Sequence, residues 1–275
     1  MSFENLAVRA SGELLITSVV SPTLNSLDPT ATTPTLTPVF TFPDATGLSG
    51  IGEIRPGVFA IIAAVRNGTT DVPGTASIWT VDFTTGKTPT ARLGATIPTA
   101  GLANGLGVIP GDPDLVLIAD AVLGLAWGVN VRTGNVSVFM QTPEMAPIGA
   151  SAPAPVLGIN GLHVQRGMLH FTNSQQQTFF RVPLAGGTVG TVGTGMFDDF
   201  TLDGRGRAWL ATNPGSLTLI SPLADGTFSE ATVVNTTLNG PSSAAFGRKL
   251  GRETTTLFMT SRGGQIVSVD TSSED

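Results

Sequence analysis

The chain has no cysteine and no tyrosine, and among its 275 residues there are only two histidines, His163 and His170, and two lysines, Lys87 and Lys249. The missing cysteines exclude disulfides, thiolate metal sites and thiol nucleophiles together. There is no G-x-S-x-G elbow and no H-E-x-x-H pair, so covalent and zinc-hydrolase chemistry have few candidates. No apolar run approaches the roughly 18 to 20 residues of a membrane helix. Charged residues make up 12% of the chain and the net charge is −6, without the clustered cations that a nucleic-acid surface needs to displace counterions. Neither a nucleic acid nor a membrane is therefore expected as a partner.

Glycine and proline are abundant, 34 and 19 residues, and fall at turn positions throughout. A mean hydropathy of +0.25 implies that most apolar side chains are internal. The length suits one large all-β domain over residues 1–275. The start, Met1-Ser2-Phe3, carries no charged n-region and no apolar h-region. As it stands the chain reads as cytoplasmic, and as secreted if a leader preceded it. Sequons at Asn67, Asn135 and Asn235 would be acceptors only in the second case.

A repeat organises the chain. Short apolar strands open on polar residues at Glu4-Asn5, Ser49-Gly50, Asn104-Gly105, Asn160-Gly161, Asp198-Asp199 and Ser242-Ser243. Each is followed by a second strand: Glu13 to Ser18, Val58 to Val65, Leu115 to Asp120, Met168 to Ser174, Ala208 to Asn213 and Thr256 to Ser261. Third strands such as Ser77 to Asp82 and Phe179 to Pro183 end in turns such as Thr85-Gly86 and Asp225-Gly226, where glycine accepts positive φ. Fourth strands, Val136 to Met140 and Ala231 to Val234 among them, complete the unit. Four antiparallel strands repeated six times predict a six-bladed β-propeller. Radial repetition brings the six opening residues to one axis.

Three stretches, Val19 to Thr35, Arg66 to Ala76 and Gln141 to Gly158, read as insertions crowning one face. The last is apolar but too rich in proline for a helix or central strand. It is expected to act as a lid over an apolar ligand or as a connector, with Met145, Pro147, Ile148 and Pro155 packed over a cavity mouth. The sixth unit supplies three strands, and its fourth is expected from residues ahead of the first blade in a longer chain. Trp79, Trp127 and Trp209 occupy comparable strand positions and are expected in the core, with Trp127 nearest the crown. His163 follows Asn160 by three residues and is a candidate donor or base lining the axis. His170 reads as structural.

Glu4-Asn5-Leu6-Ala7-Val8, Asn160-Gly161-Leu162 with Leu169 to Ser174, Asp198-Asp199-Phe200 with Asp203 and Gly206, and Gly240 to Arg248 together resemble the fungal branch of the six-bladed SMP-30/gluconolactonase/strictosidine-synthase-like superfamily. The likeness spans essentially the whole chain. In the lactonase branch a divalent cation, usually calcium, sits on the axis, and the matching positions here are Glu4, Asn104, Asn160 and Asp198; Ser49 and Ser242 depart from that pattern. Oxygen donors suit a hard cation. Within the fungal branch some members are cofactor-independent cyclases, including hetero-Diels-Alderases that join a tropolone-derived quinone methide to a macrocyclic terpene. What the resemblance implies is a natural-product cyclase of the hetero-Diels-Alderase type, a pericyclase with no cofactor. Asn104, Asn160, His163 and Asp198 would be catalytic, and Glu4, Ser49, Trp127, Met145, Asn173 and Ser242 would contact an apolar small molecule. The alternatives are a calcium-dependent lactone or ester hydrolase and a non-catalytic ligand-binding propeller. A monomer is expected in each case.

Overall fold

Every innermost strand is broken at its polar doublet by a shift in pairing register. In the computed structural model, which describes residues 1–68, 70–149, 156–236 and 238–274, these strands are Phe3–Val8, Gly47–Arg55, Ala103–Ile109, Ile159–Gln165, Phe197–Leu202 and Pro241–Lys249. Each pairs antiparallel with a second strand, and the register slips between Phe3 and Leu6, Leu48 and Ile51, Ala103 and Leu106, Ile159 and Leu162, Phe197 and Phe200, and Pro241 and Ser243. A β-bulge sets two residues against one and re-aims side chains, so a doublet does not have to obey the alternation of the strand around it.

The sheets built on these strands are six blades of a β-propeller: five have four strands and the sixth has three among the described residues. No α-helix occurs among the described residues. The interior is six clusters of buried residues, one between each pair of adjacent blades. Blades 2 and 3, for example, bury Ile62, Ile78, Val116 and Ile118 between them. Each fully buried aliphatic or aromatic side chain contributes roughly 1.5–3 kcal/mol. Closure between blades 6 and 1 has the smallest cluster, with Phe3, Val8, Leu14 and Ile16 buried against Ala245, Phe258 and Ile266. Polar bonds supplement it: Ser242 Oγ donates to the Phe3 carbonyl (3.1 Å), and Arg248 Nη1 donates to the Val8 carbonyl (3.0 Å).

One expectation about insertions is corrected. Val19 to Thr35 is no crown loop, because it contains the third strand of blade 1, Ser21–Leu27, which leads through residues 28–36 to the fourth, Thr37–Thr41. Pro22, Asn25 and two serines hide the strand's apolar signal, and of its apolar residues only Leu24 is buried. The Arg66 to Ala76 stretch holds a small hairpin, Arg66–Asn67 paired with Thr70–Asp71.

The bulges free backbone groups that need partners. In blade 4 the buried Thr172 hydroxyl accepts from the Gly161 amide (2.9 Å) and donates to the Asp198 carbonyl (2.6 Å), tying blade 4 to blade 5. Thr17 serves Asn5 within blade 1, accepting from its amide (3.0 Å) and donating to its carbonyl (3.2 Å). Thr172→Val keeps the shape but strands a buried amide and a buried carbonyl, so unfolding in urea should show a loss of about 1–3 kcal/mol. A loss below about 0.5 kcal/mol would mean that the bulge does not depend on the hydroxyl.

Candidate active site at the propeller axis

The bulged doublets make two polar layers on the axis. The upper layer holds Glu4, Ser49, Asn104, Asn160, Asp198 and Ser242, all less than a tenth exposed. Asn104 Nδ2 donates to Asn160 Oδ1 (2.7 Å), and Asn160 Nδ2 donates to Asp198 Oδ1 (2.9 Å) and to Ser174 Oγ (2.8 Å). Arg262 Nη2 completes the row on Asp198 Oδ2 (2.7 Å). On the other side, Arg66 Nη1 pairs with buried Asp71 (2.5 Å), while its Nη2 donates to Ser49 Oγ (2.7 Å) and the Ala103 carbonyl (3.1 Å). Asn104, Asn160 and Asp198 are thus directly linked. The Glu4 carboxyl has no hydrogen-bond partner among the described residues but feels both Arg262 and Arg66.

Two serines of the layer are tied into the scaffold. Ser49 Oγ donates to the Ala103 carbonyl (2.8 Å), and Ser242 Oγ to Phe3 and Thr260. Arg66 and Arg262 were not among the residues expected at the axis. Arg262 and Ser174 directly follow the second strands of their blades and Arg66 comes one residue later, and that shared position was the available signal.

Burial pushes Asp198 up to about 7; Arg262 pulls it down, and Glu4 and Asp199 push it up again. Burial likewise raises Glu4, opposed by Arg262 and Arg66. Arg262 is itself raised, chiefly by the Asp198 charge. With Arg66 paired to Asp71 and Asp199 lying below, carboxyls outnumber guanidinium groups here, and the buried cluster keeps a proton into the neutral range.

Below lies the second layer. Asp199 Oδ2 accepts from Asn5 Nδ2 (2.7 Å), the Ser243 hydroxyl lies between Asn5 Oδ1 (3.0 Å) and Asp199 Oδ2 (3.3 Å), and Asp199 Oδ1 meets His163 Nε2 (3.2 Å). The other three positions are glycines. A Cβ on Gly50 would stand 2.5 Å from the Leu106 amide nitrogen, so only glycine lets adjacent inner strands approach this closely. His163 therefore belongs to the lower layer and not to the row of Asn104, Asn160 and Asp198.

Beside Asp198, at one side of the upper layer, opens a cavity of about 510 Å³, lined by Leu157, Met196, Phe197 and Pro214 and by the polar Ser174, Asp198, Asn213, Asn239 and Arg262. Met196 is 53% exposed. The remaining expected contact residues lie elsewhere. Trp127 packs between blades 2 and 3 and donates through Nε1 to Asp120 (3.0 Å). Met145 is fully buried among Leu117, Ile159, Leu162 and Phe171, plugging the seam between blades 3 and 4. Asn173 Nδ2 clasps the same segment through the Glu144 (2.8 Å) and Ala146 (3.0 Å) carbonyls, and Gln176 Nε2 repeats the contact. The start of the Gln141 to Gly158 stretch is thus a plug held by amides, and Ile148 beyond it is exposed. Pro155 lies outside the described residues.

The upper layer fits a divalent cation poorly. The Asn160 amide oxygen is taken by Asn104, both Asp198 oxygens are taken by Asn160 and Arg262, and two guanidinium charges flank Glu4. Among the described residues no group of three or more His, Asp or Glu side chains could hold an ion. A cation here would have to displace Arg262 against its ion pair.

No family model matches the chain. It is 28% identical to the "Putative hetero-Diels-Alderase" of Phoma sp. over 89% of this chain and 79% of that protein. It is 26% identical to the "Putative hetero-Diels-Alderase asR5" of Sarocladium schorii over 99% and 77%. Among solved structures, a luciferin-regenerating enzyme aligns with a TM-score of 0.65 at 16% identity, covering 100% of this chain and 87% of that one. Virginiamycin B lyase from Staphylococcus aureus aligns at 0.63 and 13%, covering 97% and 79%. These structures establish a shared fold and nothing about reaction.

Unfolded carboxyls lose their protons near pH 4, whereas the folded cluster holds one to about pH 7. The folded state therefore binds more protons across that interval, and this cluster's contribution to stability falls as pH rises from about 4 to about 7. Asp198→Asn should flatten that slope, read as urea midpoints at pH 5 and pH 8; an unchanged slope would place the proton elsewhere. Met145→Ala should cost about 2–5 kcal/mol in the same assay, as expected of a large-to-small change in a packed seam. A near-neutral outcome would return the residue to a surface lid.

Proposed function

We propose that this propeller is a cofactor-independent cyclase that performs a hetero-Diels-Alder cycloaddition in the 510 Å³ cavity beside Asp198. The observation that carries the reading is Arg262. Its side chain is half exposed, reaches the wall of a cavity that has one apolar side, and is held in place by a buried carboxylate at 2.7 Å. The similarity to two proteins named as hetero-Diels-Alderases supports the same class of reaction.

The chemistry asks for little. A conjugated oxygen-terminated diene and an alkene form one C–O and one C–C bond while their π bonds reorganise, with no leaving group and no net proton transfer. Holding two apolar π-systems in a near-attack pose replaces a bimolecular encounter by an effectively unimolecular step. A cavity of this size lies in the range that encloses a small organic ligand. Leu157, Met196, Phe197 and Pro214 would supply the apolar walls. A free N–H of Arg262 would donate to the heterodiene oxygen and lower the energy of the electron-poor partner. Asp198 orients Arg262, and Asn104 and Asn160 orient Asp198, so these three are positioning groups.

The substrates to try are a tropolone-derived quinone methide generated in situ and humulene, with products followed by chiral chromatography and mass spectrometry. The expected outcome is accelerated formation of one stereoisomer, unchanged by a chelator. Arg262→Met should lower kcat about 10²-fold, the usual cost of removing one preorganised donor, with the fold checked by circular dichroism. Activity lost to the chelator and restored by calcium would overturn the reading in favour of a hydrolase or other metal enzyme. Stoichiometric binding without turnover would leave a ligand-binding propeller.

A further inference from the structure

His163 faces away from the Arg262 cavity, into a second one at the opposite mouth of the axis. That basin has a volume of about 380 Å³ and is walled by Ile51, Leu106, Val108, Val164 and Phe246. Its rim carries Arg248, paired with Glu53 (2.5 Å) and bonded to the Val8 carbonyl, together with Glu253, which burial raises above the usual carboxylate range.

The histidine is fixed on two sides. Its ring stands edge-to-face on Phe200, with centroids 4.7 Å apart, and its Nε2 lies 3.2 Å from Asp199 Oδ1. Asp199 is 5% exposed and accepts from Asn5 on its other oxygen, beside the Ser243 hydroxyl. A carboxylate accepts only, so the neutral imidazole carries its proton on Nε2 and presents Nδ1 as an acceptor. No described residue hydrogen-bonds Nδ1, and His163 forms part of the basin's lining. The side chain keeps about a third of its surface exposed.

We infer that this basin is a second small-molecule site, which takes a compact aromatic body bearing one acidic hydroxyl, a phenol or an enol, with the hydroxyl donating to His163 Nδ1. The apolar walls match the body of such a molecule. The acidic O–H makes the stronger bond to an imidazole backed by a carboxylate, because Asp199 stabilises the positive charge that builds on the ring. A carboxylate ligand would bring no donor for Nδ1 and would have to compete with Glu53 for Arg248. The site is separate from the proposed cyclase cavity and does not depend on it.

With only two histidines in the chain, imidazole nitrogen resonances can be followed individually by NMR. Titration of the full chain with 2-naphthol should be saturable, shift the Nδ1 resonance of His163 and leave that of His170 in place. 2-Methoxynaphthalene, which has the same apolar body and no donor, should bind at least tenfold more weakly to the unaltered protein. His163→Phe should weaken 2-naphthol at least tenfold, while Arg262→Met should not. Equal binding of the two naphthalenes, or saturation without a shift at His163, would overturn the site, as would the absence of saturable binding.

Discussion

The structure depends on a bulge repeated six times. A regular strand would turn alternate residues away from the axis, and each blade could then offer the axis one polar side chain at most near its upper end. The bulge lets Glu4 and Asn5, or Asp198 and Asp199, address the interior in succession. Two layers result, and they are chemically different. Its cost is a set of unpaired backbone groups, which Thr17 and Thr172 satisfy from the neighbouring strand.

Asymmetry follows from what stands second in each doublet. Glycine in blades 2, 3 and 4 lets adjacent inner strands close up, while Asn5, Asp199 and Ser243 in blades 1, 5 and 6 fill the other half of the lower layer with a hydrogen-bonded knot. That knot also fastens blade 6 to blade 1, where the apolar cluster is smallest. The two faces of the axis are therefore separated by a polar floor. A guanidinium and a carboxylate stand on one side of it, and a histidine backed by a carboxylate on the other.

Positive charge at the upper layer comes from the protein itself. Arg66 is delivered by the small hairpin of blade 2, where Asp71 fixes it, and Arg262 comes from the loop after the second strand of blade 6. Placed against buried carboxyls, they lower the electrostatic demand for an external ion. A guanidinium differs from an ion in being a directional donor with N–H groups left over, which suits polarising a neutral oxygen better than activating water.

Much of the fold was legible in the sequence because a β-propeller is written in local signals: short apolar strands, glycine turns and a polar residue at each inner-strand start. The doublets Glu4-Asn5 and Asp198-Asp199 were visible too, as were Asn104 and Asn160. The third strand of blade 1 was not, since Pro22 and Asn25 carry no strand pattern and only its neighbours recruit it. Met145 reads as a lid residue in a proline-rich stretch, yet the amides of Asn173 and Gln176, some thirty residues away, seat it in the seam. Arg66 and Arg262 carry no motif, and their convergence on Asp198 and Glu4 is decided by ring closure. His163 stands three residues after Asn160, and the strand they share carries it along the axis to the other mouth. What the sequence by itself determined is the repeat and the chemistry available at each inner strand, because both are set within a few residues. Which groups meet, and on which side of the floor, was decided only by the packing of six blades around one axis.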